Sequence, residues 1–82
     1  MAQFLDVHSG FFAVSRQQLV DANERVAAIE ADEGVHIERA WLDPVRGKAF
    51  CLTTAPSREA VLRIHERADH PPSEIYELLI EA

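Results

Sequence analysis

The stretch that decides the fold is "VHIERAWLDPVRGKAFCLTT", residues 35–54. In its first part the side chains alternate between two sides, with Ile37 and Trp41 on the same one, which is the two-residue period of a β-strand. "DPVRG" predicts a turn, because proline and glycine favour turn conformations, and "KAFCLTT" alternates again. Because the turn is short, the two strands are predicted to form an antiparallel hairpin.

A helix is predicted on each side of this hairpin. Before it, Ser15 and Gln18 have the spacing of a capping box, and apolar residues then recur every three or four positions as far as the stop signal Gly34. After it, Ser57 caps a second helix with its own apolar stripe. "HPP" ends that helix, because proline cannot continue the hydrogen-bond ladder.

Two outer strands complete the pattern. "AQFLDVH", residues 2–8, alternates like the hairpin strands, and "EIYELLI", residues 74–80, is the last strand. The order strand, helix, strand, strand, helix, strand is the split βαβ plan. We therefore predict an α+β, ferredoxin-like βαββαβ fold with a four-stranded antiparallel sheet and two helices on one face. A chain of 82 residues suits a single domain, 1–82.

This plan leaves the second face of the sheet uncovered. The residues that the alternation assigns to it are apolar: Phe4, Ala40, Leu42, Ala49, Ile75 and Leu79. Exposing such a face to water is unfavourable by about 25 cal/mol per Å² of apolar surface. We therefore expect a homodimer in which two chains pack through the open sheet face, and we favour this use over an exposed ligand surface.

Composition disfavours several classes of function. A net charge of −6 with no basic stripe disfavours binding to nucleic-acid phosphates, and no apolar run approaches the roughly 20 residues of a membrane helix. The single cysteine, Cys51, cannot form an internal disulfide, and the N-terminus lacks the features of a signal peptide, so a cytoplasmic protein is expected. With neither a G-x-S-x-G motif nor a glycine-rich phosphate loop, we do not predict an enzyme.

Three of the four histidines are predicted to converge. In the expected strand order, His8 ends the first strand, His65 lies in the last turns of the second helix and His70 leads into the last strand, all near one edge. Asp6 shares a strand side with His8, and imidazole with carboxylate suits zinc, nickel, copper or iron but not calcium. Each histidine also has an ordinary interpretation, as a residue bordering the core, a helix C-terminal residue or a polar strand end.

A second candidate site lies at the other end of the predicted domain. The first helix closes with "EADEGVH", residues 30–36, whose carboxylates sit at a terminus that is already partly negative. A cation would compensate them, with His36 and Glu38 on one strand side as further ligands. A solvated acidic turn is the alternative. Cys51 lies mid-strand and is either buried packing or a thiolate ligand, and none of these spacings is a closed zinc signature.

Several motifs resemble a known family. They are "FC" followed by a short strand and "APS", then "HERA-x-HP", and a final "EIY". The likeness runs from "FLDVH" to the end of the chain. The family consists of small bacterial proteins long classed as a domain of unknown function, and its best-described member is a nickel-binding protein from actinobacteria.

The resemblance implies a ferredoxin-like fold, a dimer formed through the sheets, and nickel held by histidines and acidic side chains. One departure is Asp69, which stands where a glycine before "HP" is typical and which either stiffens that turn or adds a carboxylate. Carried onto this chain, the matching metal ligands are His8, His36, His65 and His70, with Asp6 and Glu38 as oxygen donors.

We therefore predict a cytoplasmic, homodimeric protein that binds nickel and acts in metal buffering or homeostasis, and not in catalysis. Two other classes stay open. One is a small-ligand-binding protein or enzyme of the dimeric α+β barrel type, with His65 or His8 as the acid–base group, which requires a deep apolar pocket. The other is a dimerisation module whose histidines are incidental.

Overall fold

The computed structural model describes residues 1–82, and its strands form one antiparallel sheet in the order β2-β3-β1-β4. The strands are β1 (Ala2–Ser9), β2 (His36–Asp43), β3 (Lys48–Ala55) and β4 (Glu74–Glu77). The helices are α1 (Arg16–Ala27), α2 (Glu30–Glu33) and α3 (Arg58–Arg67). The ferredoxin-like α+β fold is thus confirmed, with the four-residue α2 as an addition. None of the helices combines the length and the apolar character that crossing a bilayer requires.

Each long helix begins with a serine N-cap, as the sequence predicts. Ser15 Oγ accepts from the N–H of Gln18 at 3.2 Å, and Gln18 Oε1 accepts from the N–H of Ser15 at 2.9 Å, which completes the capping box. Ser57 Oγ likewise accepts a backbone N–H at 3.2 Å. The end of the first helix differs from the prediction, because α1 stops at Ala27. Gly34, at φ 66°, ends the separate helix α2 instead.

One face of the sheet packs against the helices and forms the apolar core. The α3 residues 60, 61 and 64 recur at the spacing of one helical face and point at the sheet, as the apolar stripe predicts. The core consists of the buried residues Phe4, Val26, Val35, Ala55, Ala60, Val61, Ile64 and Ala68.

The prediction of which residues occupy the uncovered face is wrong. Phe4 and Ala49 are buried on the helix side of the sheet. Cross-strand partners share a face, so the pairing places three more of the assigned residues on that same side: Ala40, Leu42 and Ile75. The physical reason is that β1 and β3 carry apolar side chains on both faces. Alternation then distinguishes two faces without showing which one the helices cover.

A β-bulge changes the alternation in β2. The pairing with β3 shifts immediately after Ile37, which leaves Glu38 as an extra residue in the strand. Ile37 lies opposite Thr53, whose side chain is buried on the helix side, whereas Trp41 lies opposite Phe50. Ile37 and Trp41, which the sequence predicts on one side, are therefore on opposite faces.

The side of the sheet away from the helices has an apolar centre, and the charged residues Arg39 and Glu74 lie beside it as register partners of Leu52 and Val7. Trp41 is 46% exposed and Tyr76 is 50% exposed, and Leu79, beyond the end of β4, is 78% exposed. We call this side the open face and define it by the cross-strand neighbours Leu5, Val7, Trp41, Phe50, Leu52 and Tyr76.

Gly47→Ala is expected to destabilise the fold more than Gly34→Ala. Both glycines have left-handed backbones, at φ 69° and 66°, where an L side chain costs about 1–2 kcal/mol. A Cβ at position 47 would also lie 2.6 Å from ring carbons of Phe12, whereas one at position 34 meets nothing within 4 Å. Guanidinium unfolding of both variants measures the difference. Equal losses of unfolding free energy would show that the Phe12 ring moves aside without cost.

Candidate metal centre

A buried carboxylate, Asp6, lies at the centre of a polar cluster inside the domain. Its side chain is fully buried. Thr53 Oγ1 donates to Asp6 Oδ1 at 2.7 Å, and His8 Nε2 donates to Asp6 Oδ2 at 2.7 Å. His65 Nε2 lies 3.1 Å from the same Oδ2. The carboxylate is therefore surrounded by three side chains from β1, β3 and α3.

The sheet register and one helical turn bring these residues together. Asp6 lies opposite Cys51 in the β1–β3 ladder, and His8 lies opposite Ala49, so these side chains share the face that the helices cover. His65 follows the buried residue Ile64 in the last turns of α3 and faces down onto the same part of the sheet. The cluster is the polar continuation of the apolar core.

The hydrogen bond of His65 to its own helix decides which of its ring nitrogens is free. His65 Nδ1 donates to the carbonyl oxygen of Val61 at 2.9 Å, so in the neutral ring Nε2 carries the lone pair. Burial lowers the pKa of His65, although Asp6 partly opposes this, and the neutral ring is therefore favoured. Nε2 is buried and, despite its distance of 3.1 Å from Asp6, makes no hydrogen bond. A lone pair thus faces a carboxylate oxygen, an arrangement that a cation would stabilise.

Cys51 and His8 supply further donor atoms at the same place. The ligand atoms of Asp6, His8, Cys51 and His65 all lie within 4.8 Å of one another. His8 Nδ1 is a second buried ring nitrogen without a hydrogen-bond partner. Burial, and then the neighbouring Asp6, raise the pKa of the Cys51 thiol. The thiol is therefore an unreactive group unless a metal ion replaces its proton.

A small cavity adjoins these donors. Its volume is about 20 Å³, and His8, Cys51 and His65 are in its lining together with apolar residues of α1. A space of roughly this size holds one water molecule or one ion. The two histidines with unpartnered ring nitrogens and the thiol line this space, and the Asp6 carboxylate lies within 4.8 Å of their donor atoms. This donor set fits a transition-metal ion.

His70 lies beside the cluster but outside it. It lines the same cavity, yet its Nε2 accepts a hydrogen bond from Arg25 Nη2 at 2.7 Å. Burial, and then the charge of Arg25, lower the pKa of His70, in keeping with a neutral acceptor ring. The convergence predicted for His8, His65 and His70 is thus present, with His70 as the outer member.

His36 and Glu38 lie at a different place, on the edge strand. His36 is 62% exposed and contacts Glu30 at 3.2 Å and Glu38 at 3.9 Å. The hydrogen bond to Glu30, with the charges of Glu30 and Glu38, raises the pKa of His36 despite some desolvation. The structure does not bring His36 and Glu38 to the buried cluster.

The acidic segment before β2 has compensation within the protein. Glu33 pairs with Arg63 at 3.0 Å and with Arg67 at 3.4 Å, and Arg67 also pairs with Asp32 at 3.1 Å. The compensation that the sequence does not reveal comes at least in part from α3, which packs alongside α2 and presents two arginines to these carboxylates. In addition, Asp32 and Glu33 belong to the short α2 and do not end α1.

Sequence reasoning left Cys51 undecided and missed Thr53. Both lie on the covered face of β3 next to Asp6, Cys51 as its register partner and Thr53 as its hydrogen-bond donor. The alternation of β3 groups Cys51 with Thr53, but only the register of β3 against β1 shows that this group faces the carboxylate.

Comparison with known proteins gives two informative matches. Residues 4–78 match the family described as "Nickel responsive protein SCO4226-like". The crystal structure of SCO4226 from Streptomyces coelicolor A3(2) is similar to this chain, with a TM-score of 0.96 and 47% sequence identity over 99% of this chain and 100% of that one.

A third similarity is weak. The NMR structure of the heavy metal binding protein TM0320 from Thermotoga maritima has a TM-score of 0.49 and 12% identity, over 93% of this chain and 98% of that one. A likeness at this level supports no statement about the present site. No curated protein matches the chain significantly.

Thr53→Val is expected to lower the free energy of unfolding of the metal-free protein by about 1.5–3 kcal/mol, because a buried carboxylate loses a donor. The matched control is Thr54→Val, whose lost hydrogen bond to Glu38 is exposed, and it should cost about 0.5 kcal/mol or less. Urea unfolding in the presence of a chelator measures both values. Equal losses for the two variants would contradict the central role of Asp6.

Proposed function

This chain belongs to the SCO4226-like family of nickel-responsive proteins, and on that premise we propose that it binds a divalent transition-metal ion, nickel, at a buried site. The ligands are Asp6, His8, Cys51 and His65, which we call the inner cluster. The observation that carries the proposal is the free Nε2 of His65, buried, held in one tautomer by Val61 and facing Asp6 at 3.1 Å.

The chemistry of the donors supports this class of ion. Imidazole nitrogens and a thiolate suit nickel, zinc, copper and iron, whereas magnesium and calcium prefer oxygen ligands. Once Cys51 is deprotonated, it and Asp6 together offset the two positive charges of the ion. A buried dication would otherwise be strongly disfavoured in the protein interior.

The size of the cavity favours an ion over an organic substrate. Pockets for small molecules usually have volumes of about 300–1,000 Å³, whereas the cavity beside His8 and His65 has about 20 Å³. The deep apolar pocket required by the enzyme alternative therefore lacks support. We propose a role in nickel buffering or homeostasis, in the cytoplasm, where the Cys51 thiol stays reduced.

We also propose that the protein is a homodimer that buries the open face. The support is that Trp41 and Tyr76 are about half exposed on a sheet side whose remaining central residues are apolar. Two copies related by a two-fold axis would bury the same patch on each.

Nickel is expected to raise the melting temperature of untagged protein from which a chelator has removed metal. At a nickel concentration about a hundredfold above Kd, binding adds about 2.7 kcal/mol. Each kcal/mol raises the melting temperature of a domain of this size by about 4–8 °C. Magnesium at the same concentration is the control ion, because it prefers oxygen ligands. An unchanged melting temperature with nickel would contradict the proposal.

Variants of the inner cluster test whether nickel binds there. Loss of a residue that only hydrogen-bonds to a metal ligand weakens metal affinity by roughly tenfold or more. Cys51→Ala and His65→Gln each remove a ligand, so each should weaken nickel affinity by more than tenfold. His36→Gln is the control, because His36 is exposed and lies outside the inner cluster. Competition with a chromophoric chelator, on variants with unchanged circular dichroism, measures the affinities. Loss of binding in His36→Gln alone would move the ion to the edge strand.

Trp41→Glu is expected to convert the dimer to a monomer, because it places a charge in a buried apolar interface. Val45→Glu is the matched control, since Val45 is 81% exposed in the hairpin turn and not on the sheet. Light scattering coupled to size-exclusion chromatography gives the mass of each. A monomeric wild type, or a Trp41→Glu protein that remains dimeric, would refute the interface.

A further inference from the structure

The open face carries one charged residue on each of its two edge strands, with the apolar centre between them. Arg39 lies on β2 and Glu74 on β4, and these strands are the outermost ones of the sheet. The centre consists of two neighbouring cross-strand rows. From β2 to β4 they contain Trp41, Phe50, Val7 and Glu74 in one row, and Arg39, Leu52, Leu5 and Tyr76 in the other.

Neither Arg39 nor Glu74 has a charged partner within its own chain. Both are exposed, and neither takes part in an ion pair. Charged residues at the ends of β2 and β3 differ, because each has a partner in the chain: Asp43 with Arg46, His36 with Glu30, Lys48 with Ser9, and Glu38 with Thr54. The two charges that flank the apolar centre are therefore free to pair with a second molecule.

The direction of the two-fold axis decides which edges of two open faces meet. Two identical faces pack on each other around an axis that lies between them. An axis along the strands exchanges the two edges of the sheet, so β2 of each copy lies over β4 of its partner. An axis across the strands leaves the edges where they are, so β2 lies over β2 and β4 over β4.

The charges favour the first of these arrangements. With the axis along the strands and through the centre of the face, Arg39 lies one row from the partner's Glu74. Successive rows are two residues, or about 6.7 Å, apart along a strand. With the axis across the strands, Arg39 would instead lie one row from the partner's Arg39, and Glu74 one row from the partner's Glu74. Like charges that face each other across an interface are unfavourable, whereas opposite charges fix its orientation.

We infer that the homodimer forms around a two-fold axis that runs roughly along the strands, and that Arg39 of each copy pairs with the partner's Glu74. Packed sheets are about 10 Å apart, a gap that a long arginine and a glutamate side chain bridge from its two sides. The partner's Tyr76 then lies opposite Arg39, where an aromatic ring attracts a guanidinium. This inference rests on the homodimer of the proposed function and adds its orientation.

Arg39→Glu and Glu74→Arg are each expected to raise the dissociation constant of the dimer by about tenfold or more. By symmetry, each reversal replaces two opposite-charge pairs with two like-charge contacts. The double variant exchanges the two charges and restores both pairs, so its dissociation constant should return close to the wild-type value. Sedimentation velocity over a dilution series of the metal-free, full-length proteins gives these constants, at low ionic strength where surface charges are least screened.

An equimolar mixture of the two single variants tests whether the pairs form between copies. In a heterodimer of Arg39→Glu with Glu74→Arg, each edge carries one acidic and one basic residue. The mixture should therefore form dimers about as readily as the wild type, although each variant alone does not. Recovery in the double variant without recovery in the mixture would overturn the pairing between subunits.

Two control variants carry the same changes of net charge at exposed positions on the helices. Arg16→Glu lies in α1 and Glu66→Arg in α3, and neither residue takes part in an ion pair. Both should leave the dissociation constant of the dimer close to that of the wild type. Circular dichroism confirms that every variant is folded.

The remaining outcomes separate the orientation from the dimer itself. A dimeric wild type with unchanged dissociation constants in both single variants would overturn the orientation and leave the homodimer intact. Weakening that the double variant does not reverse would show that the two charges act separately, which also overturns the pairing. A monomeric wild type would overturn the proposed homodimer, and the orientation with it.

Discussion

The interior of this protein is organised around one buried carboxylate. Removing a carboxylate from water costs several kcal/mol unless charges or hydrogen bonds compensate it. Asp6 is fully buried, and its compensation comes from Thr53 and His8, each at 2.7 Å. These partners come from the adjacent strand β3 and from β1 itself, so the pairing of β1 with β3 is constrained by the charge of Asp6. His65 of α3 faces the same carboxylate at 3.1 Å without a hydrogen bond.

The polar cluster around Asp6 and the apolar core occupy the same face of the sheet, and the core affects the cluster. Apolar residues such as Phe4, Val61 and Ile64 exclude water there, which makes the electrostatic interactions of the polar cluster stronger. His65 connects the two regions, because its Nδ1 is bonded to the carbonyl of Val61 while its Nε2 faces Asp6. A metal ion at this place would contact α3, β1 and β3 together, so binding and folding stability are coupled.

Exposed polar groups outside the buried cluster join helices to each other. Arg63 and Arg67 pair with Asp32 and Glu33 and join α3 to α2. Acidic residues that look like a second metal site along the chain are, in the folded protein, part of helix packing.

Local features were determined by the sequence alone, because they depend on residues within one or two turns of each other. The capping box at Ser15, the hairpin around "DPVRG" and the order of the long elements follow from such patterns. The convergence of His8, His65 and His70 was predicted from the topology that this order implies. Tertiary structure decided the rest. The covered face of the sheet, the effect of the bulge at Glu38, and the positions of Cys51 and Thr53 beside Asp6 depend on strand register and helix packing. Alternation in a single strand cannot specify these, because they are set by contacts between residues far apart in the chain.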